Sequence, residues 1–376
     1  MKDKTPHNSQ WVIVTFNRPV MWTRNEDEVW MFTPKRRYVL NANQLGNLGD
    51  YIHTISDLRT SAFYKPLMAG QATLAGSSVL IERYRERGIG DLLFLTGPMN
   101  YLKFLSGGEV NIDAYALADR GVILANHPAL QYRATLAGPL QYDDLQHYDY
   151  HWFVDTATEY DEEPDQLNVY DALYKTLGLD PATVPAEYKR PNIVLEDADI
   201  KNLDQFLYFT WLEKKLDLRK SGYYVVAPLA RGSLRSASYQ MWIDVINQLK
   251  TRRPVVVVGS LGGRVPTTDM EAGEFNQHMN QAGPNVVNAL RSPPMPLRVL
   301  ASIISRATAV GCLDSGPLYV AQALRVPAVS VWGPHDPGVR IGYDQDYMNL
   351  AVWSQDKCRR CPCYSYDRFP AEKCPQ

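Results

Sequence analysis

A chain of 376 residues is too long for one compact core, so its length predicts two domains of ordinary size. Its 39 basic and 41 acidic side chains nearly cancel, which disfavours a surface built for nucleic acid or an anionic membrane but leaves room for a local basic groove. No apolar signal-peptide core and no apolar run long enough to span a membrane are present. We therefore expect a soluble, cytoplasmic protein.

The first 75 residues are predicted to form a small N-terminal extension, rich in Trp, Tyr, Arg and Asn. Three short runs in it, "WVIVTF", "EVWMF" and "YVLNAN", are strand-like. The stretch "NLGD" at 47–50 contains a Gly-Asp pair, but no strong apolar strand precedes it. We therefore discount Asp50 as a functional residue.

The pattern becomes clearer from residue 76 onward. "SSVLIERY" (77–84) predicts a strand, "RERGIGD" a turn, and "LLFLTGPMNYLKFL" the start of a helix. "VNIDAYAL", "GVILAN" and "YHWFVDT" predict further strands. Strands that alternate with helices indicate βαβ units and a parallel sheet, so we assign residues 76–218 to a first Rossmann-like domain.

A second βα series begins at "YYVVAPLARGS" (223–233), after a proline-rich loop at 180–192 and a predicted helix, "LDQFLYFTWLEKKLDL". The strands "PVVVVGS", "NVVNAL", "ATAVGCLD" and "PAVSVWG" follow, with helices between them. We assign 219–350 to a second Rossmann-like domain and 351–376 to a Cys-rich tail. Two such domains predict a cleft, and open parallel sheets bind ligands at the carboxyl ends of their strands.

The loop after the predicted strand "SSVLIERY" (77–84) carries Gly88, Gly90 and Asp91. The two glycines allow a tight turn and a close approach to a ligand. An acid at the start of a helix has two interpretations. Asp91 is either an N-cap or a general base that takes a proton from an attacking hydroxyl.

The loop after "YYVV" carries Arg231, Gly232, Ser233 and Arg235. Backbone N–H groups and a hydroxyl near a helix start can meet a phosphate, and arginine suits bidentate phosphate contact. The alternative is a solvated loop with ordinary surface arginines.

The strand "AVGCLD" delivers Asp314 to the start of the helix "LYVAQAL". Ser315 and the N–H groups of Gly316 and Leu318 would cluster there and form an anion site. The alternative is that Asp314 or Ser315 only caps the helix.

Two other motifs compete with these loops. Asp197-x-Asp199 follows an apolar run and has the form of a divalent-cation site, but it also fits a strand end that leads into a capped helix. The glycine-rich "GSLGGR" (259–264) matches neither the dinucleotide nor the P-loop pattern and reads as a loop at the cleft.

Together the three loops resemble those of the ADP-heptose:lipopolysaccharide heptosyltransferases (glycosyltransferase family 9), which are inverting enzymes of the GT-B type. The resemblance runs from about Val79 to the C-terminus and is strongest over "PPMPLRVLASIISRATAVGCLDSGPLYVAQALRVPAVSVWGPHDPG". It implies an α/β GT-B fold, two Rossmann-like domains facing a cleft. It also implies an ADP-heptose-like nucleotide-diphosphate sugar donor and no catalytic divalent metal.

The resemblance also assigns roles to residues. Asp91 falls on the presumed catalytic base. Arg235, seven residues before Trp242, takes the place of a phosphate-binding Lys. Met295 falls near the adenine, and the Asp-Ser-Gly loop holds the diphosphate and sugar. The donor-binding set implied is Gly90, Ser233, Arg235, Met295, Asp314, Ser315, Gly316 and Tyr319.

This chain departs from the family in two places. Tyr319 stands where the family usually has a His; it can donate one hydrogen bond but carries no charge near neutrality. Arg264 occupies a region where the family tends to have an acid that contacts the ribose. The exact donor is therefore open.

The acceptor is open as well. Lipopolysaccharide core is the family's usual acceptor, and a protein or a modified nucleic-acid base fits the N-terminal extension equally well; a peripheral membrane contact is compatible with a lipid acceptor. Two other functions compete with sugar transfer. They are a GT-B-like epimerase or hydrolase that acts on the nucleotide sugar, and a non-catalytic sugar-nucleotide binding protein.

Four of the five cysteines lie near the C-terminus, at Cys358, Cys361, Cys363 and Cys374. Four thiolates suffice for a tetrahedral zinc or iron site, and such a site would be structural because no coordination position stays open. Disulfides or free thiols are the alternative.

Overall fold

A computed structural model describes most of the chain. The residues it describes are 11–25, 28–42, 45, 48–83, 88–116, 121–135, 139–154, 167–230, 236–261, 270–292, 294–333, 336–343 and 348–353. The chain divides into two compact units. The first comprises 1–87 and 95–188, and the second comprises 88–94 and 189–376.

The first unit begins with antiparallel strands. Their bounds are β1 Trp11–Phe16, β2 Val20–Asn25, β3 Glu28–Phe32, β4 Arg37–Asn41 and β5 Ile52–Asp57. The three strand-like runs predicted in the extension are thus confirmed. One sheet has the order β4-β1-β5, and β2 pairs with β3.

The side chains of strand β1 pack alternately into two hydrophobic clusters, because successive side chains of a strand point to opposite faces of the sheet. Val14 and Phe16 pack in a cluster with Phe32, whereas Ile13 packs in a second cluster that contains Leu80 of the following parallel sheet. The extension is therefore packed onto the rest of the first unit through its own sheet.

A parallel sheet follows within the first unit. Its strands are β6 Ser78–Arg83, β7 Asn111–Ala116, β8 Leu130–Thr135 and β9 Tyr150–Val154, in the order β8-β7-β6-β9. The helices described in this part of the chain are α1 Ile89–Leu105 and α2 Val169–Thr176. Helix α1 begins in the second unit and continues in the first.

One predicted strand in this sheet is wrong. "GVILAN" forms a 3₁₀ turn at Val122–Leu124, and β8, which the sequence analysis did not predict, lies just after it. A short apolar run that is buried cannot be assigned to strand or helix by its periodicity alone.

The second unit contains a six-stranded parallel sheet. Its strands are β10 Tyr224–Ala227, β11 Val255–Ser260, β12 Val286–Arg291, β13 Ala309–Leu313, β14 Ala328–Trp332 and β15 Asn349–Trp353. The order is β12-β11-β10-β13-β14-β15. The five predicted strands are confirmed, and β15 adds an edge strand. The four valines of β11 are all buried, as is usual where helices cover both faces of a parallel sheet.

Helices connect and flank these strands. They are α3 Asp197–Lys214, α4 Leu218–Ser221, α5 Tyr239–Leu249, α6 Ala272–Gln281, α7 Leu297–Ser305, α8 Gly316–Ala323 and α9 Pro337–Arg340. Helix α3 packs on α7, which groups residues 189–218 with the second unit. Among the described helices, none has both the length and the apolarity needed to cross a membrane.

Candidate active site

The strand order of the second unit locates a ligand-binding edge. From β10 the chain adds β11 and β12 on one side and then returns to place β13 on the other side of β10. Ligands of open α/β sheets bind outside the carboxyl ends of the strands at such a reversal. Ala227 of β10 pairs with Cys312 of β13, so Asp314 lies at this edge beside the segment that leaves β10.

The predicted phosphate loop leaves β10 at the same edge, but residues 231–235 lie outside the described part of the chain. The roles of Ser233 and Arg235 therefore stay predictions. After that loop, Ser238 caps helix α5 by accepting a hydrogen bond from the Met241 N–H at 3.0 Å.

The N-cap residue of helix α8, Ser315, makes no side-chain cap. Its hydroxyl donates to the Leu313 carbonyl at 3.3 Å. The Leu318 N–H donates to the Ser315 carbonyl at 3.0 Å. The interpretation that Ser315 caps this helix through its side chain is therefore wrong, and the same interpretation for Asp314 stays a prediction. Because the Leu318 N–H is already hydrogen-bonded within the turn, it is a weaker candidate for binding an anion.

Asp314 is almost fully buried, with 3% of its surface exposed, and its Oδ1 accepts a hydrogen bond from the Tyr319 hydroxyl at 2.6 Å. Tyr319 is itself buried and packs edge-on against the ring of Phe94, with ring centroids 4.8 Å apart. A buried carboxylate is stable only with such partners. Tyr319 thus links Asp314 to the first turns of α1.

The first turns of α1 and α8 interlock through two glycines. A β-carbon on Gly90 would lie 2.5 Å from Cδ2 of Tyr319, and a β-carbon on Gly316 would lie 2.9 Å from Cδ1 of Ile89. Real β-carbons do not approach so closely, so a larger residue at Gly90 would displace the Tyr319 ring and one at Gly316 would displace the Ile89 side chain. This interlock brings the Gly-Asp turn and the Asp-Ser-Gly loop to one place within the second unit.

Asp91 is the third residue of α1, so the N-cap interpretation of its position is wrong. It is half-buried, and a β-carbon on Gly88 would lie 2.7 Å from its Oδ2. The carboxylate therefore lies close to Gly88 at the N-terminal end of α1, where the helix dipole attracts negative charge. A charged carboxylate held there can accept a proton.

Met295 is buried and lies in the connection between β12 and α7, directly before Pro296, the N-cap residue of α7. It follows β12 at the same edge as Asp314, but β11 and β10 lie between their strands. Three inter-strand spacings amount to about 14 Å. The strands that lead to Met295 and Asp314 are thus well separated along this edge.

The rival Asp-x-Asp motif is structural. Asp199 accepts a hydrogen bond from the Glu196 N–H at 2.8 Å and completes a capping box at the start of α3. It also forms a buried ion pair with Arg298 of α7, whose guanidinium donates to the Val194 carbonyl as well. The capped helix is thus confirmed, whereas the strand end expected before it is not observed, because residues 191–196 form no strand.

No cluster of His, Cys, Asp and Glu side chains in the described residues is suited to hold a metal ion. The four C-terminal cysteines and Arg264 lie outside these residues.

The sequence analysis missed Ile89 and Phe94, which hold the interlock together. Both sit beside the Gly-Asp pair as ordinary apolar helix residues. The sequence offers one indirect signal for them. Each of the two glycines leaves a space that a bulky residue elsewhere in the chain can fill. A sequence alone does not say which glycine meets which bulky residue.

The family to which the chain belongs follows from its sequence. The profile described as "Glycosyltransferase family 9 (heptosyltransferase)" matches residues 150–366, which is more than half of the chain. The chain belongs to this family, and the predicted resemblance is confirmed. Curated proteins include no match to it.

Solved structures share the fold at low identity. ADP-heptose lps heptosyltransferase II of E. coli is 15% identical with a TM-score of 0.55, covering 79% of this chain and 96% of its own. A family 9 glycosyl transferase of Veillonella parvula is 11% identical with a TM-score of 0.51, covering 75% and 89%.

The third is TibC, a bacterial iron-containing dodecameric glycosyltransferase of enterotoxigenic E. coli. It is 14% identical with a TM-score of 0.50, covering 94% of this chain and 79% of its own. These similarities confirm the GT-B fold class with two Rossmann-like units. Membership in the family makes the chain a glycosyltransferase.

Proposed function

We propose that this chain transfers a heptose-like sugar from a nucleotide-diphosphate sugar to an acceptor hydroxyl with inversion, and that Asp91 is the base. The observation that carries the proposal is the interlock of α1 and α8. It holds Asp91, half-buried at a helix start, in the same unit as the buried Asp314 and the start of α8, where Ser315 makes no side-chain cap. Base and donor site are thus supported by one rigid contact.

In the reaction, the acceptor oxygen attacks C1 of the sugar from the side opposite the diphosphate. The Asp91 carboxylate takes the hydroxyl proton as the new C1–O bond forms. The bond between C1 and the phosphate oxygen breaks, and its electron pair stays on the leaving diphosphate. Attack from the opposite side inverts the configuration at C1.

Negative charge grows on the leaving diphosphate, and preorganised donors stabilise it. Arg235 and Ser233 supply a cation and a hydroxyl from the loop after β10. The N-terminal end of α8 at Ser315 and Gly316 supplies a helix dipole. Met295, at the far side of the same edge, is suited to the base of an ADP-like nucleotide.

The test compares Asp91→Asn with Asp50→Asn, a matched change in the other Gly-Asp pair. Asp50 lies exposed in the 3₁₀ turn Gly49–Tyr51 of the first unit. Loss of a general base lowers kcat by about 10²- to 10⁴-fold. We expect that loss in Asp91→Asn, with donor binding kept as judged by thermal stabilisation with nucleotide sugars, and normal turnover in Asp50→Asn.

Near wild-type turnover in Asp91→Asn would show that another group is the base. Product formed from the donor alone would favour an epimerase or hydrolase. Donor binding without turnover on lipopolysaccharide-core, protein and modified-base acceptors would favour a non-catalytic binding protein. The acceptor panel includes detergent or vesicle presentation, which tests peripheral membrane contact.

We also infer that Cys358, Cys361, Cys363 and Cys374 bind one structural metal ion. Four thiolates are a donor set that suits iron or zinc. TibC, which shares the fold, is described as iron-containing, and that description favours iron here.

Elemental analysis of the purified chain tests the metal site. We expect about one metal ion per chain, lost in Cys363→Ser and kept in Cys312→Ala. Cys312 is the matched control because it is buried in β13, where burial raises the pKa of its thiol and makes it a poor ligand. Wild-type protein without metal would overturn the inference.

A further inference from the structure

Tyr319 stands at the centre of the interlock and makes three contacts with different elements. Its ring meets the backbone of α1 at Gly90 and the ring of Phe94, and its hydroxyl meets Asp314 beyond the end of β13. All three contacts lie within the second unit. A side chain 5% exposed that touches both halves of a site has little freedom to move independently of either.

The contact at Gly90 leaves no room for a side chain. A β-carbon there would lie 2.5 Å from Cδ2, 2.8 Å from Cε2 and 3.2 Å from Cγ of the tyrosine ring. The ring therefore lies close against the backbone one residue before Asp91. Any shift of the ring toward α1 must move that backbone, and with it the Asp91 carboxylate.

The contact at Asp314 is polar. The tyrosine hydroxyl donates at 2.6 Å to Oδ1 of a carboxylate that is almost fully buried. A hydrogen bond to a charged group is stronger than one between neutral groups, and here it holds the orientation of that carboxylate. Tyr319 keeps this contact without adding a titrating group near neutrality.

We propose that Tyr319 is a positioning residue that couples the two halves of the site: its ring sets where Asp91 lies, and its hydroxyl sets how Asp314 meets the donor. This inference rests on the proposed function, because it takes Asp91 as the base. It assigns different kinetic effects to the two ends of one side chain.

The hydroxyl end is tested with Tyr319→Phe, which keeps the ring. We expect the donor KM to rise by about tenfold, the value of one hydrogen bond to a charged group, while kcat stays within about threefold. The matched control is Tyr223→Phe. Tyr223 is another buried tyrosine of the second unit, whose hydroxyl donates to the Ile303 carbonyl at 2.7 Å. It should lose stability without any change in KM.

The ring end is tested with Gly90→Ala, which adds one carbon against the ring. We expect kcat to fall by about 100-fold through misplacement of Asp91, with a much smaller rise in the donor Kd. In Gly90→Ala/Tyr319→Ala the ring is gone and the added carbon fits. We expect the double variant to recover kcat relative to Gly90→Ala, so that the two changes are strongly non-additive.

Additive effects in the double variant, or equal changes of KM in Tyr319→Phe and Tyr223→Phe, would overturn the coupling. These results are distinct from failure of the proposed base. If Asp91→Asn stays active, the base assignment fails, whereas the non-additivity of thermal unfolding between Gly90→Ala and Tyr319→Ala still reports the interlock. If every variant lost both its activity and the rise in Tm that the donor induces, the predicted separation of effects on kcat and on KM would be wrong.

Discussion

The chain contains the same Gly-Asp pair twice, in two different surroundings. Gly49 and Asp50 lie in an exposed turn of the first unit, and a β-carbon on Gly49 would meet nothing within 4 Å. Gly90 and Asp91 lie in the first turn of α1, where Gly90 touches the Tyr319 ring and Asp91 is half-buried. The dipeptide itself therefore carries no function. Its packing partners decide whether the carboxylate is held in place.

The same contrast separates two buried carboxylates of the second unit. Asp199 closes a helix cap and pairs with the cation of Arg298, so its charge is compensated by its own structure. Asp314 accepts a short hydrogen bond from the neutral hydroxyl of Tyr319 and lies beside the start of α8, where the N-cap residue Ser315 makes no side-chain cap. Asp199 thus stabilises a helix start, whereas Asp314 lies at the carboxyl edge of a parallel sheet, where ligands of such sheets bind.

Among the variants that test these two comparisons, the largest expected effect comes from Gly316→Val, which breaks the interlock from the α8 side. Its β-carbon would lie 2.9 Å from Cδ1 and 3.3 Å from Cβ of Ile89, so the two first turns must separate. We expect kcat/KM to fall by about 100-fold and the thermal midpoint to fall by about 5 °C.

Gly273→Val is the matched control for that change. Gly273 also lies in a first helical turn of the second unit, at α6, and a β-carbon there would meet nothing within 4 Å. Rates and melting curves of the two variants are compared directly. Equal effects would mean that valine disturbs any helix start and that the interlock has no special role.

An intermediate effect is expected from Gly88→Ala, which touches Asp91 alone. The added carbon would lie 2.7 Å from Oδ2 and push the carboxylate from its place. We expect about a tenfold loss of kcat, less than for removal of the base, with donor binding retained. Gly49→Ala in the exposed pair should leave both quantities unchanged, and a drop in its kcat would contradict the contrast between the two pairs.

The smallest effect at neutral pH concerns His127 of the first unit. Burial lowers the pKa of this imidazole to about 4, below its ordinary value of about 6.5. The unfolded chain therefore binds the proton more readily. The contribution of His127 to the free energy of unfolding is fully present above pH about 6.5. It is lost as the pH falls from there through about 4, by about 3 kcal/mol in total.

Melting curves between pH 7 and 4 check this expectation. In His127→Gln the acid decline should be shallower, whereas any acid limb of kcat that belongs to Asp91 should stay where it is. A kcat limb that moves with His127→Gln would show that the pH profile reports unfolding of the first unit rather than titration of the base.

Much of the fold was predictable because it depends on local patterns. The four buried valines of β11 and the helix Leu297–Ser305 stand out by composition and periodicity. The failure at Val122–Leu124 has the opposite cause, since a short buried run carries too little periodicity. The edge strand β15 lay in a stretch whose alternation was too weak to assign.

The site was predictable in part for a similar reason. Asp91 and Asp314 each follow a strand that the apolar pattern identifies, and acids after parallel strands are natural candidates for ligand contact. Local patterns could not show whether such an acid caps its helix. That depended on where the helix begins, which is Ile89 for one and Gly316 for the other.

By itself, the sequence determined the family, the alternation of strands and helices, and the loops that end at the edge of each parallel sheet, because these are properties of short stretches. The tertiary structure alone decided that Gly90 lies against Tyr319, that Gly316 lies against Ile89 and that Asp199 pairs with Arg298. Each of these contacts joins residues far apart in the chain. Which bulky side chain fills the space above a glycine is set by the packing of whole helices, and no local pattern encodes it.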